Sequence, residues 1–269
     1  MKSTDVAALT LVQISDFHLG ERTGETLLGM DADQSLADVL ALIAAQQQAV
    51  ALLLATGDLA NHGSESAYQR VQHYLHNVAA PVLYLPGNHD DLPLLQNVLG
   101  VSVFPQCRVI ANGATNRWQI IALNSAVPKQ VGGAIDAAQL AALKAILDDN
   151  HLPTVIALHH PPQPIACAWL DPQCVSNGDA LLELLASYPQ VKVVLSGHVH
   201  QDGEFRYAHL PVYSAPSTCI QFLPRSDGFA LDNVNPGYRW LRLLADGRFE
   251  TGVQRVDGCY RVDHNASGY

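Results

Sequence analysis

Five separate stretches of the sequence end in residues that commonly bind metal ions. In each, an apolar run is followed by acidic, amide or imidazole side chains close to a glycine or a proline. The five motifs are Asp16-Phe17-His18, Gly57-Asp58, Gly87-Asn88-His89-Asp90, His159-His160-Pro161 and Gly197-His198-Val199-His200. Imidazole nitrogen and carboxylate oxygen without thiolate suit manganese, iron, zinc or cobalt, and disfavour calcium. The motifs together therefore predict a transition-metal site, although each alone is compatible with an ordinary turn or strand end.

These residues need strands that deliver them to one place. Apolar, β-branched runs predict strands at 9–14, 49–55, 82–85, 154–158 and 191–195, each leading directly into one motif. In open α/β sheets, ligands bind beyond the carboxyl ends of the strands, so the five motifs are expected to converge in one crevice. Asp16 and His18 are two residues apart and would share one face of an extended chain. The candidate ligands are numerous enough for two cations if one carboxylate bridges them.

The remaining periodicity predicts an α/β protein with helices packed on the sheet. Helices are expected at 33–48, 64–77, 92–99, 139–147 and 180–187, with one further strand at 118–124. Alternating patterns predict a C-terminal β-hairpin within about 238–255. Residues 163–178, here named the lid segment, show no clear period, and Trp169 and Leu170 suggest that they form an ordered lid. No linker or repeat interrupts the sequence, so residues 1–269 are expected to form a single domain.

The composition restricts the partners. A formal net charge of -10, with only 15 Lys and Arg residues, argues against binding a long polyanion such as nucleic acid. The five cysteines are widely spaced and form no CxxC pair, which predicts free thiols. No apolar run reaches the roughly 20 residues of a membrane span, and the N-terminus lacks a signal-peptide pattern. We therefore expect a cytoplasmic protein, monomeric or homodimeric, with a small-molecule substrate and no nucleic-acid or membrane partner.

Taken in order, the five motifs resemble those of the calcineurin-like metallophosphoesterases. Further stretches are similar to the bacterial class III 3',5'-cyclic AMP phosphodiesterases, and this resemblance covers nearly the whole chain. These stretches are Asp16-Phe17-His18-Leu19, Leu85-Pro86-Gly87-Asn88-His89-Asp90, Cys167-Ala168-Trp169-Leu170-Asp171, Pro216-Ser217-Thr218-Cys219, Gln221-Phe222 and Ser267-Gly268-Tyr269. The resemblance implies the calcineurin-like metallophosphoesterase fold, an α/β fold of two packed mixed β-sheets flanked by helices (αββα).

The resemblance also implies a role for each candidate residue. Two metal ions per subunit are implied, iron or manganese above all, with other divalent metals as alternatives. Their ligands would be Asp16, His18 and His200 for the first ion, Asn88, His159 and His198 for the second, and Asp58 as a bridge. Contacts with the substrate are implied for His18, Asp58, Asn88, His89 and His200. His89 would be the catalytic residue.

The implied reaction is hydrolysis of 3',5'-cyclic AMP to 5'-AMP, which would lower the cyclic AMP signal. A hydroxide that bridges the two ions would attack in line and expel the ribose 3'-oxygen. His89 would stabilise the phosphoryl oxygens or protonate the leaving group, and Asp90 would either orient His89 or cap the turn. Alternative substrates are 2',3'-cyclic nucleotides, glycerophosphodiesters and nucleotide pyrophosphates. A metal-dependent scaffold that binds a protein partner is the alternative from another functional class.

The sequence leaves two assignments open. Either imidazole of the His159-His160 pair could bind the metal, and we predict His159 because it directly continues the strand. The residues that contact the base are also open. The candidates are His62, Trp169, the stretch 167–178, Ser217 and Thr218. Trp169 could equally be an anchor that holds the lid segment in place.

Overall fold

The structure, a computed structural model, describes residues 8–266 and residue 268. Residues 1–7, and Ser267 and Tyr269 of the C-terminal stretch named above, lie outside the described residues. The strands are β1 (Leu9–Ile14), β2 (Thr26–Leu27), β3 (Met30–Asp31), β4 (Val50–Thr56), β5 (Val82–Leu85), β6 (Gln106–Asn112), β7 (Asn116–Ala122), β8 (Thr154–Ala157), β9 (Val191–Ser196), β10 (Glu204–Tyr207), β11 (Leu210–Ser214), β12 (Gly237–Leu243) and β13 (Phe249–Arg255). The helices are α1 (Ala32–Gln46), α2 (Glu65–His76), α3 (Leu92–Leu99), α4 (Ala137–Asp149) and α5 (Gly178–Ala186).

Two mixed sheets form the centre of the fold. The first has the strand order β13-β12-β1-β4-β5, and the second the order β10-β11-β9-β8-β7-β6. In the first sheet β1, β4 and β5 are parallel, while β12 and β13 add antiparallel pairs. In the second sheet β7, β8, β9 and β11 are parallel, with β6 and β10 antiparallel at the edges. Parallel central strands explain why the runs of β4 and β8 are buried on both faces.

The apolar side chains divide into three layers that follow from this arrangement. One layer lies between the sheets, where Leu54 of β4 belongs to the same buried cluster as Val155 of β8. A second layer joins the outer face of the first sheet to α1, α2 and α3. A third joins the outer face of the second sheet to α4 and α5. The predicted αββα arrangement is therefore confirmed. Whether residues 1–269 constitute one domain, with the lid segment as a functional part, stays a prediction.

The predicted elements agree well with the observed ones. All five strands that lead into the motifs are present with ends shifted by at most one residue, and the five helices with ends shifted by at most two. Ser64 and Asp136 cap α2 and α4, where each side chain accepts a hydrogen bond from a backbone N–H of the first turn. The strands β2, β3, β6, β10 and β11 were not predicted. β2 and β3 have only two residues each, β6 and β10 are sheet edges where Ile110 is the one buried residue, and β11 contains Pro211, which disfavours a strand by pattern alone.

Two further expectations can be compared with the structure. Each of the five cysteines lies in the described part of the chain, and each is free, as predicted. Of the helices that the structure describes, none combines the length and the apolar character that crossing a membrane requires.

Candidate active site

The five motifs meet where the carboxyl ends of the parallel strands of both sheets lie side by side. β1, β4 and β5 bring the first three motifs from one sheet, and β8 and β9 bring the others from the second sheet. The sequence suggested one shared edge, whereas the crevice lies between two sheets. Main-chain hydrogen bonds tie the loops together: Asp16 N–H donates to the Gly57 carbonyl at 3.0 Å, and Gly197 N–H donates to the His159 carbonyl at 2.8 Å.

The backbone adopts an unusual conformation at the predicted ligands. Five of them have positive φ angles in the left-handed region, which residues other than glycine rarely adopt. They are Asp16 (58°), His18 (49°), Asp58 (51°), His198 (67°) and His200 (48°). Each such residue costs about 1–3 kcal/mol and persists only where the surrounding structure imposes it. In each case the chain turns sharply just beyond a strand, which brings side chains from neighbouring loops within reach of each other.

Two glycines make the close approach of the loops possible. A Cβ at Gly57, where φ is 99°, would collide with the imidazole of His159. A Cβ at Gly87 would collide with the carboxylate of Asp58. The glycines in these motifs therefore have a steric role, since any side chain at either position would displace a predicted ligand.

The predicted ligands of the first ion lie together and are fully buried. His18 Nε2 is 3.1 Å from His200 Nε2, and His200 Nε2 is 3.5 Å from Asp16 Oδ1. One ligand atom from each of the three side chains lies within 4.8 Å of the others. Burial, followed by the neighbouring His89, lowers the pKa of His18 to about 3, so this imidazole is neutral. A neutral imidazole is the form that binds a metal ion.

The predicted ligands of the second ion adjoin this group through Asp58. His159 Nε2 is 3.2 Å from Asn88 Oδ1 and 3.3 Å from Asp58 Oδ2. The same Asp58 oxygen is 3.8 Å from His18 Nε2, so it lies between the two groups, as a bridging carboxylate must. The His198 ring lies 5.1 Å from the His159 ring. Burial opposes ionisation of Asp58, but the neighbouring His159 outweighs it and holds the pKa of Asp58 well below its usual value.

Hydrogen bonds on the outer side of the rings fix which nitrogen faces the centre. The Nδ1 atoms of His159 and His200 contact the backbone carbonyls of Thr56 at 2.8 Å and Ile220 at 2.9 Å. A carbonyl only accepts hydrogen bonds, so each Nδ1 carries a hydrogen and Nε2 is the nitrogen that faces the centre. His18 Nδ1 contacts the Asn61 amide oxygen at 3.3 Å in the same manner.

This donor set fits metal ions. Nε2 of His18 and Nε2 of His200 face each other across 3.1 Å, an arrangement that suits a cation coordinated by both nitrogens. Asp16 and Asp58 add carboxylate oxygens within the same buried groups. Buried charges and lone pairs of this kind are costly unless they are paired or coordinate a metal.

His160 differs from His159 in that neither of its nitrogens has a predicted ligand as its hydrogen-bond partner. His160 Nδ1 is 2.9 Å from Ser125 Oγ, and Nε2 is 3.0 Å from the Val131 carbonyl oxygen. The ring does lie near His159 and His198, and the three could in principle share an ion. The Val131 carbonyl makes Nε2 of His160 a donor, and Ser125 Oγ is the partner of Nδ1, so His159 is the better candidate.

His89 occupies a different position from the buried ligands. It is half-buried, and its ring stands edge-on to His18 with centroids 4.9 Å apart. His89 Nδ1 donates to the Asn61 carbonyl at 2.9 Å, which fixes the ring with Nε2 on the opposite side. The backbone N–H of His89 donates to Asp58 Oδ1 at 2.9 Å. His89 thus borders the predicted metal centre and lines the adjoining cleft.

Asp90 was predicted either to orient His89 or to cap the turn, and its contacts favour the turn. Its carboxylate accepts hydrogen bonds from the backbone N–H groups of Leu59, Ala60 and Gly87 at 2.9–3.2 Å, and from the Tyr68 hydroxyl at 3.0 Å. These bonds join the loop after β5 to the loop after β4. Burial and the charge of Asp58 raise the pKa of Asp90 to about 6. The carbonyl of Asn61, a residue that the sequence reading missed, holds the His89 ring instead.

A cleft of about 500 Å³ opens beside the predicted ligands. Asn88, His89 and His198 line one side, and Trp169, Phe222 and Phe229 line another. The Trp169 ring is 4.9 Å from Phe222, and Phe222 stacks on His200 with centroids 4.2 Å apart. Aromatic side chains therefore connect the predicted ligand His200 to the lid segment.

Of the other residues proposed for base contact, three are placed differently. Ser217 and Thr218 are fully buried, and Ser217 Oγ donates to the Asp16 carbonyl at 2.7 Å. Neither side chain is therefore accessible from the cleft, because both lie behind the loop that carries Asp16. His62 is exposed and is not among the described residues that line the cleft. Thr56 and Ile220, which act only through backbone carbonyls, leave no signal in the sequence.

Comparison with known proteins agrees with the fold and the motifs. The family model described as calcineurin-like phosphoesterase matches residues 9–202. A 3',5'-cyclic adenosine monophosphate phosphodiesterase (CpdA) of Pseudomonas aeruginosa is 40% identical over 99% of this chain and 97% of its own length. The enzyme of the same name from Escherichia coli K12 is 36% identical over 98% of this chain and 96% of its own.

Among solved structures, a dimetal phosphatase from Danio rerio has a TM-score of 0.63 at 19% identity, over 93% of this chain and all of the other (100%). At this identity the likeness concerns the fold. The family match and the two relatives, which are similar over nearly their full length, show that the chain belongs to the calcineurin-like phosphoesterase family.

Proposed function

We propose that this protein is a metal-dependent phosphodiesterase that hydrolyses 3',5'-cyclic AMP to 5'-AMP. The observation that carries the proposal is full-length similarity to relatives named as cyclic AMP phosphodiesterases, at 40% and 36% identity. The chain covers 97% and 96% of these relatives, so it contains the counterpart of nearly all of each. The buried His/Asp groups beside an open cleft support the same reaction class.

The geometry of the donor atoms supports the ligand assignment that the family resemblance implies. We assign Asp16, His18 and His200 to one ion, Asn88, His159 and His198 to a second, and Asp58 to both. When bound, such a pair of ions polarises the phosphoryl oxygens and lowers the pKa of water. Iron or manganese suits a set of imidazole, carboxylate and amide donors without thiolate.

The charge of the donor set favours a phosphodiester. Among the assigned ligands only Asp16 and Asp58 are anionic, because Asn88 is an amide and the imidazoles are neutral when they bind metal. Two divalent cations therefore exceed the ligand charge and leave the centre positive. Lys129 adds a cationic side chain to the wall of the cleft. A monoanionic diester is attracted to this centre even though the protein as a whole carries a formal charge of -10.

His89 is the proposed catalytic residue. The Asn61 carbonyl holds its Nδ1–H at 2.9 Å, so that Nε2 is the atom that can meet a substrate in the cleft. In the protonated form, Nε2–H donates a hydrogen bond to a phosphoryl oxygen or passes its proton to the departing 3'-oxygen. The edge of the same ring shields His18 from the cleft.

The test compares substrates on one preparation of the purified protein loaded with manganese. We expect 3',5'-cyclic AMP to yield 5'-AMP, and a chelator to abolish the reaction. Parallel assays use 3',5'-cyclic GMP, 2',3'-cyclic AMP and glycerophosphocholine at equal concentrations. If 2',3'-cyclic AMP or glycerophosphocholine is turned over far faster than 3',5'-cyclic AMP, the proposed substrate is wrong. Fractionation of cells checks the proposed cytoplasmic location, for which the free cysteines are the supporting observation.

A further inference from the structure

One side chain of the lid segment contacts a proposed metal ligand directly. Gln173 stands at the end of a single turn of 3-10 helix, Asp171–Gln173. Its Oε1 atom is 3.0 Å from Nε2 of His198. The segment that closes one side of the cleft is thereby connected to the metal centre through one hydrogen bond.

The orientation of the Gln173 amide is determined by its other partner. Its Nε2 atom donates to the backbone carbonyl of Trp169 at 3.1 Å. Turning the amide around would place two carbonyl oxygens against each other, so the oxygen must face His198. An amide oxygen only accepts hydrogen bonds, and Nε2 of His198 must therefore carry the hydrogen.

This assigns the opposite tautomer to His198 from that of the other imidazole ligands. With the hydrogen on Nε2, the lone pair of His198 is on Nδ1, which is the atom left to bind a cation. His18, His159 and His200 have the reverse arrangement, with Nδ1 turned outward. For His159 and His200 the outer partner is a backbone carbonyl, which no substitution removes. The partner of His198 is a side chain, so its contribution can be measured.

The lid segment is anchored well enough to hold Gln173 in place. Asp171 Oδ1 accepts hydrogen bonds from the backbone N–H groups of Ile165 at 2.8 Å and Cys167 at 3.4 Å. Beyond Gln173, the N–H of Val175 donates to the Pro161 carbonyl at 2.9 Å. Leu170 and Val175 are buried on either side of the turn. Gln173 therefore projects from a turn that is fixed at both ends.

We propose that Gln173 is a positioning residue for the second metal ion. It holds His198 in the Nε2–H tautomer and so presents Nδ1 to the ion that Asn88 and His159 also bind. The inference rests on the ligand assignment made under the proposed function. Its consequence is that the lid segment and the second metal stabilise each other, because each constrains the same imidazole.

The first test reads the tautomer directly. In the full-length protein loaded with zinc, which is diamagnetic, long-range ¹H–¹⁵N correlation spectra report which ring nitrogen of His198 carries the hydrogen. His198→Asn identifies the signals. We expect a protonated Nε2 and a metal-bound Nδ1. A protonated Nδ1 overturns the proposal whatever the substrate of the enzyme is.

The second test measures manganese binding by titration calorimetry, without substrate. Gln173→Leu is expected to weaken one of the two sites by about 10- to 100-fold and to leave the other unchanged, the usual effect of removing the outer partner of a metal-bound imidazole. Gln173→Glu retains an acceptor and should weaken that site much less. Gln163→Leu, in the same segment, is the matched control and should bind two ions as the wild type does.

The outcomes of this titration separate the two proposals. Wild-type affinity at both sites of Gln173→Leu refutes the role of Gln173, as does equal weakening of both sites. Failure of the wild-type protein to bind two ions refutes the metal assignment instead. If manganese binding is normal but cyclic AMP is not hydrolysed, only the proposal that cyclic AMP is the substrate is refuted.

Discussion

His89→Ala separates the proposed catalytic residue from the proposed ligands. The substitution removes the ring and its hydrogen bond to Asn61, but it keeps the backbone N–H that donates to Asp58 Oδ1 at 2.9 Å. None of the side chains assigned to the metals is changed. We therefore expect the variant to retain both ions and to lose the contribution of a proton donor at the leaving group, about 10²- to 10⁴-fold in kcat. This equals roughly 3–5 kcal/mol of transition-state stabilisation at 1.36 kcal/mol per factor of ten.

The assay measures kcat and metal content on the same preparation, with two substrates. The leaving group of cyclic AMP is the ribose 3'-alkoxide, which needs a proton. The leaving group of bis(p-nitrophenyl) phosphate is p-nitrophenolate, which does not. If His89 is a general acid, its removal slows cyclic AMP hydrolysis far more than hydrolysis of the aryl diester. If it stabilises phosphoryl oxygens, both reactions slow equally.

The control for this experiment is His62→Ala, since His62 is an exposed imidazole near the same loops and outside the cleft lining. It should retain the activity of the wild type on both substrates. Loss of one metal ion from His89→Ala would show that His89 is a ligand. Unchanged turnover of cyclic AMP would remove it from the reaction altogether.

Three further predictions concern the framework of the site. Asp90→Ala leaves several backbone N–H groups and a hydroxyl without an acceptor, so it should lower the free energy of unfolding by at least about 3 kcal/mol in urea titrations. Tyr68→Phe removes one donor to Asp90 and the acceptor of the Asp91 N–H, and should cost about 1–2 kcal/mol. Equal losses would contradict the role given to Asp90. Gly57→Ala forces a Cβ into His159 at a φ of 99°, and manganese titration should show weakened binding, while Gly113→Ala, on an open turn, should bind normally. Dialysis against a chelator should lower the melting temperature, and readdition of manganese should restore it, because ions that bind only the folded state stabilise it; an unchanged melting temperature would argue against the buried centre.

The sequence could indicate the candidate ligands because their chemistry is carried by residue type and by position at strand ends. Asp16, His18 and Asp58 each follow a strongly apolar run, and the structure brings them together. The choice between His159 and His160 was harder. Both have the right chemistry, and only the outer contacts of the rings, to Thr56 in one case and Val131 in the other, distinguish them.

What the sequence did not predict depends mostly on the backbone or on distant pairs. The carbonyls of Thr56 and Ile220 orient imidazoles, but any residue type supplies a carbonyl. Asn61 and Gln173 lie in segments without a period, where an amide usually faces solvent. Asp90 stands next to His89 in sequence, which suggested a contact, whereas its carboxylate holds loops that are about thirty residues apart. Strand β11 was not predicted because it contains Pro211, and a proline within a short run argues against a strand.

The division of the site between two sheets has a consequence for the synthesis of the protein. His18 and His200, which face each other at 3.1 Å, are separated by 182 positions in the chain. A nascent chain can therefore complete the first sheet's ligands early, but it has no paired centre until His200 has left the ribosome and β9 has joined its sheet. Ions bound by both halves would then hold residues 16–200 together and stabilise the folded state. Hydrolytic activity would report that the two sheets have joined, even though β12 and β13 follow His200 in the chain.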